Sequence, residues 1–245
     1  MKIEHVKQLA LKVKLHGLCE GIEARQSQAI ADGLLPAEYL GMLLEDEVRY
    51  RKNAKSRRLT RRAKFRYEGE LEDWDMSYDR GITKPKLNEL AGLGFYRSGQ
   101  NLIILGKSGE GKTQLVNAVG RRLCYEGVKT LFYSTNLLFE EVAAERAAGS
   151  YLKFLKRVNL APVLILDDFG LRSYNHDEAN VLIDLIEERY RKGIVMITSQ
   201  VNPQGWLGLF EDPVIGEAIV DRLNNPSMTI KLRGGSYRTK LKKMA

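Results

Sequence analysis

The chain has 245 residues, with 39 Lys+Arg against 31 Asp+Glu and a net charge of +8. That length holds one large domain, or a domain with a small appendage, and the positive excess points to an anionic macromolecular partner. Cys19 and Cys124 lack metal or redox spacing, no run approaches the roughly 20 apolar residues of a membrane span, and lysines break up the apolar N-terminus, so cytoplasmic location, no membrane contact and reduced thiols are expected.

In chain order, helices come first. Ile3, Val6, Leu9, Ala10 and Val13 recur at helical spacing, and Gly17 is expected to end that helix. A second helix is predicted over Leu18–Ala31, stopping at Asp32-Gly33. Pro36 suits the first turn of a third, with Leu40, Leu43, Leu44 and Val48 on one face. Short helices bury little alone, so this part is expected to lean on a partner or on the main domain.

The third helix runs into a stretch, Arg49 to Arg66, with ten basic residues and no acidic one. Arg51, Lys55, Arg58, Arg62 and Arg66 follow i, i+3/i+4 steps and would form one stripe, with Lys52, Arg57, Arg61 and Lys64 on the other faces. Solvated helices usually mix signs. Unbroken positive charge favours contact with nucleic-acid phosphates, which carries no sequence readout. Acidic residues then cluster round Trp74, which is expected to dock a linker. The pattern divides the chain into a helical domain (1–66), an acidic linker (67–83) and an α/β domain (84–245).

From Lys84 onward strands alternate with helices, the pattern of a parallel sheet. The strands predicted are Asn101–Leu105, Thr130–Ser134, Val163–Leu166, Ile194–Thr198 and Met228–Lys231. Between the first strand and the helix that follows lie Gly106, Lys107, Ser108, Gly109, Glu110, Gly111, Lys112 and Thr113, then Gln114. This is a phosphate loop: glycines let backbone N–H groups curl round an anion, and the helix N-terminus adds its dipole. Lys112 would reach the β- and γ-phosphates of ATP, and the Thr113 hydroxyl would ligate Mg²⁺.

The third strand ends in Asp167 and Asp168, at the sheet edge where catalytic groups collect. Asp167 suits the Mg²⁺ shell and Asp168 the orientation of an attacking water. After the fourth strand, Gln200, with Ser199 second, either positions that water or merely forms a turn before Asn202-Pro203. A second basic cluster, Lys153, Lys156 and Arg157, follows the second strand. It is either a further DNA contact or a solvated helix face.

The helical front end, "GKSGEGKT", "LILDDFG", "MITSQ", "EAIVDRL" and "GGSYR" together resemble the IstB-type transposition helper ATPases. These are relatives of the DnaC helicase loaders and DnaA initiators in the AAA+ class, and the resemblance covers nearly the whole chain. It implies a five-stranded parallel AAA+ sheet flanked by helices, with a helical domain before it and no full lid domain. It also implies a homo-oligomeric ATPase that remodels duplex DNA and delivers target DNA to the transposase of the same element. By matching position, Lys112 and Thr113 are Walker A residues, and Asp167 and Asp168 are Walker B. Gln200 falls at sensor 1, where many relatives have Asn, and Arg222 matches an arginine finger. Arg238 would take part of a sensor-2 role. A DnaC-like helicase loader, or a nucleotide-gated DNA scaffold with little hydrolysis, are the alternatives.

Overall fold

A computed structural model describes residues 2–190 and 192–237. Its contacts divide the chain into two compact units, Met1–Arg58 with Tyr125–Gly127, and Leu59–Cys124 with Val128–Ala245.

The first unit contains α1 (Ile3–Lys12), α2 (His16–Asp32) and most of α3 (Pro36–Ala63). Gly17 does not end the first helix as expected. Lys14 turns the chain at φ 61°, and Gly17 sits in the first turn of α2. There a Cβ would fall 2.4 Å from the Cβ of Tyr50, so α2 crosses α3 on a bare backbone. Glu47 from α3 is buried and accepts from the N–H groups of Gly17 and Leu18 at 2.7 and 3.2 Å, satisfying orphan donors of α2. The core is small: Ala10, Leu18, Ile22 and Leu43. Of the four apolar residues expected on one face of α3 only Leu43 is buried; Leu40, Leu44 and Val48 are exposed.

In the second unit α4 (Lys84–Ala91) starts on a Thr83 cap, and the short α5 (Gly94–Arg97) leads into β1 (Asn101–Leu105). Then follow α6 (Lys112–Tyr125), β2 (Thr130–Ser134), α7 (Thr135–Ala147), α8 (Tyr151–Asn159) and β3 (Val163–Phe169). The chain continues through α9 (His176–Arg189), β4 (Ile194–Ser199), α10 (Pro213–Asn224) and β5 (Ser227–Lys231). All pairings are parallel, in the order β2-β3-β4-β1-β5. The three central strands are buried along their length up to the sheet end, which fits their continuous apolar runs. One core lies on each face. Phe154, Leu182, Trp206 and Ile219 belong to one, and Trp74, Leu90, Phe95 and Val119 to the other. Trp74 docks the linker as expected.

The order places β3, β4 and β1 side by side. Whatever follows their carboxyl ends therefore meets in one crevice.

Candidate functional site

The phosphate loop joins β1 to α6. Gly109 and Gly111 have φ of 87° and 95°, where L side chains are strained. Space forbids a side chain too: a Cβ would lie 2.4 Å from Ser236 Oγ at Gly109 and 2.9 Å from Arg80 at Gly111. The buried Glu110 carboxylate accepts from Lys107 N–H at 2.6 Å, and Lys112 Nζ donates to the Lys107 carbonyl at 3.0 Å. Gly106 N–H donates to the Ser199 carbonyl at 3.2 Å, tying the loop to the end of β4. A loop so fixed presents its amides and the N-terminus of α6 without reorganisation.

Asp167 is fully buried. Its Oδ1 accepts from Thr113 Oγ1 at 3.0 Å and from Thr198 Oγ1 at 2.5 Å, while Oδ2 has no hydrogen-bond partner among the described residues. Burial pushes the Asp167 carboxyl above its ordinary value; the Thr198 hydroxyl opposes that rise and Asp168 adds to it. A buried carboxylate with one orphaned oxygen, next to a threonine hydroxyl, is a donor set that fits Mg²⁺.

The β3–β4 register breaks between Leu166 and Phe169, and Asp168 sits in that break at φ 58°. For a non-glycine residue this costs about 1 kcal/mol, and the surroundings enforce it. Asp168 N–H donates to Thr198 Oγ1 at 2.9 Å, and Gly170 N–H donates to the Tyr174 hydroxyl at 2.7 Å. Ser199 Oγ donates to the Phe169 carbonyl at 2.7 Å and accepts from Trp206 Nε1 at 3.3 Å. Ser199 is thus buried and committed to holding the β3 end, which removes it as a water-positioning candidate. The break re-aims successive side chains, so Asp167 faces Thr113 while Asp168 lines the open cavity.

That cavity has a volume of about 440 Å³. Ser108, Gly109, Gly111, Lys112, Thr113 and Gln114 line one side, and Asp168, Leu171 and Gln200 another. The four sequence-predicted groups Lys112, Thr113, Asp168 and Gln200 therefore converge on one space.

Several residues at the site carried no obvious signal. Thr198 read only as a strand end. Arg80, from the acidic linker, is buried; its guanidinium lies 3.3 Å from the Trp74 ring centroid and 4.5 Å from that of Tyr237. It donates to Gln114 Oε1 at 3.1 Å, and burial lowers its pKa. Tyr237 N–H donates to the Gly109 carbonyl at 3.0 Å, and its hydroxyl to Asp75 Oδ2 at 3.2 Å. The "GGSY" segment is thus strapped over the loop. Arg238, which follows it, lies outside the described residues.

Arg222 sits elsewhere. Its carbonyl accepts from Asn101 Nδ2 at 3.0 Å, at the amino end of β1, and its guanidinium pairs with Glu187. The basic residues also separate. Lys55, Arg58 and Arg62 are exposed on α3. Arg51 is on α3 too, but is paired with Glu47 at 2.6 Å. Arg66 leaves the stripe, because α3 stops at Ala63 and Lys64 turns at φ 58°. On α8, Lys153 and Lys156 are exposed, whereas Arg157 pairs with Glu141 and Glu145 at 2.5 and 3.4 Å.

A β2-β3-β4-β1-β5 parallel sheet with a phosphate loop after β1 and an acidic pair ending β3 defines a nucleotide-binding protein of the AAA+ class. Among solved structures the fold is similar to that of the DnaC helicase loader (TM-score 0.57, 21% identity, 67% of this chain and 96% of that one). It is also similar to AMPPCP-bound DnaA from Aquifex aeolicus (TM-score 0.57, 18% identity, 74% and 55%), and to DnaA bound to AMPPCP and single-stranded DNA (TM-score 0.53, 20% identity, 71% and 54%). Residues 8–245 match the family described as IstB-like ATP binding protein, and the chain belongs to that family. It is 34% identical to a Mycobacterium tuberculosis chain named as an ATP-binding protein in an insertion sequence, over 92% of this chain and 90% of that one. Identity to the chain named for ATP binding in insertion sequence IS21 of Pseudomonas aeruginosa is 32%, over 97% and 89%.

Proposed function

We propose that the protein is an ATP-hydrolysing, homo-oligomeric helper of the transposase of its own element, which binds and remodels duplex DNA and selects or delivers the target. Convergence of Lys112, Thr113, Asp168 and Gln200 on one cavity carries the hydrolytic part of this reading. Lys112 offsets charge on the β- and γ-phosphates. Asp168, held in its strained conformation, polarises the attacking water, and Gln200 lines the same cavity to help position it. Thr113 and Asp167 would hold Mg²⁺, which when bound neutralises phosphate charge. Arg222 completes the site of a neighbouring copy. Lys55, Arg58 and Arg62 on α3, with Lys153 and Lys156 on α8, supply phosphate contacts. The transposition role rests on relatives named for insertion sequences.

The likeness to the DnaC helicase loader favours a second reading, in which a helicase is the partner and single-stranded DNA the ligand. A nucleotide-gated scaffold is a third, and the intact Lys112, Asp167 and Asp168 speak against it. Measuring ATP turnover with duplex, with single-stranded and without DNA separates them. Greater stimulation by duplex is expected. Stimulation by single strands alone would favour the loader, and negligible turnover under all three conditions the scaffold.

A further inference from the structure

The second unit carries a larger cavity, about 940 Å³, beside the edge strand β2. Arg62, Lys64, Arg66, Lys129 and Arg157 line it. Glu141 is the one acidic lining residue among those described, and Arg157 already neutralises it. The positive charge is felt locally: burial lowers the Lys129 pKa, and Arg62 and Arg157 lower it further. A groove of this kind suits the phosphates of a nucleic-acid backbone.

Arg66 alone among these cations also lines the nucleotide cavity. Its place is fixed from two sides. Phe65 is pressed into the core, where a Cβ on Gly120 would come within 2.6 Å of its ring. The N–H groups of Arg66 and Tyr67 both donate to Asn117 Oδ1, at 2.8 and 3.3 Å. Asn117 is itself buried on α6, and its Nδ2 donates to the carbonyl of Thr113 at 2.6 Å. One amide side chain therefore ties the backbone of Arg66 to the residue that touches Asp167. The side chain, by contrast, is exposed and makes no ion pair among the described residues; its guanidinium carbon lies 5.8 Å from the Tyr67 ring centroid.

We propose that Arg66 bridges a phosphate of the nucleotide and a backbone phosphate of duplex DNA in the groove, making occupancy of the two cavities mutually favourable. Two anionic ligands in adjoining cavities repel each other. A guanidinium presents five donors in a planar fork and can serve two oxyanions together, which a point charge cannot do as well. Linkage makes the effect reciprocal, with typical couplings of about 5- to 150-fold in affinity. The proposal rests on the DNA-binding reading above.

The test is a binding cycle on the full chain, using a fluorescent non-hydrolysable ATP analogue and a duplex oligonucleotide. Saturating duplex is expected to tighten analogue binding of the parent by at least about 5-fold. Arg66→Ala should lose that gain, and Arg66→Lys should recover part of it, with circular dichroism melts confirming folding. Lys129→Ala should need more duplex for saturation yet keep the gain once saturated. The bridge is refuted if Arg66→Ala shows the parent's gain, or if the parent binds both ligands with neither altering the other; the proposed function survives both results. A parent that binds no duplex at all overturns the DNA-binding reading and the bridge together.

Discussion

Asp167 carries a cost in the ligand-free protein. Its folded pKa is raised, so the native state is fully favoured with the carboxyl protonated and loses stability as pH climbs through the folded value. Asp167→Asn removes that buried charge while keeping its shape. The substitution should raise the ligand-free melting temperature near neutral pH by several degrees. The gain should shrink toward zero at low pH, where the parent is protonated too; melting curves across that range read it directly. With Mg²⁺ and ATP the difference should shrink, because the parent gains more from the ligand than a variant lacking one Mg²⁺ ligand. A variant less stable than the parent at every pH would mean that the orphaned oxygen is not strained. Asp168→Asn behaves differently, since Asp168 lines the open cavity. It should leave ATP binding within a few-fold and slow single-turnover hydrolysis by 10² or more. Parent-rate hydrolysis by Asp168→Asn would remove it from the water's side.

Among the elements, α3 shows what pattern can and cannot disclose. Its helix and its basic stripe are legible in spacing alone, as are the five strands, whose apolar runs stop within three residues of the observed ends. Partners are less legible. Nothing in the run after Arg49 shows that Arg51 is committed to Glu47, the carboxylate capping α2, or that the stripe breaks at Lys64. The Glu47–Arg51 pair itself is an i, i+4 contact, but the capping of α2 by Glu47 and the hold of Asn117 on the Arg66 backbone join residues 30 and 51 apart, which no local pattern discloses. The same holds for Thr198, whose hydroxyl becomes a site residue only through the β3–β4 pairing. Reversing Lys55, Arg58 and Arg62 should therefore weaken DNA binding for every sequence and lower the log–log salt slope by about 0.9 per lost contact. Reversing Arg51 should chiefly destabilise, because it places a second carboxylate beside the buried Glu47. α8 depends on a buried cation: Arg189 donates to the carbonyls of Val158 and Ala161, both at 2.7 Å, and burial pulls its pKa down to about 10. Arg189→Met leaves the Ala161 carbonyl unpaired and the Val158 carbonyl with only the Ala161 N–H, and should cost about 1–3 kcal/mol, read by chemical denaturation.

For the whole molecule, the position of Arg222 matters most. It adjoins the amino end of β1, whereas the phosphate loop leaves the carboxyl end, and a five-residue strand puts roughly 13 Å or more between them. If it serves a neighbouring copy's site, as proposed, turnover per subunit should rise with protein concentration. Mixtures of Arg222→Ala with Lys112→Ala subunits should regain activity that neither has alone; mixed oligomers that stay inactive would leave Arg222 as the surface partner of Glu187. The strand order has a consequence for biogenesis as well. Among the described residues β1 pairs only with β4 and β5, and its last partner, Lys231 of β5, comes about 125 residues after Leu105. At synthesis rates of roughly 5–20 residues per second, β1 and the loop it carries wait on the order of ten seconds on the ribosome without a neighbour on either side. ATP can therefore have no site on the nascent chain until almost all of it has been made, and a message broken before β4 yields a chain with both nucleotide motifs and nowhere to assemble them.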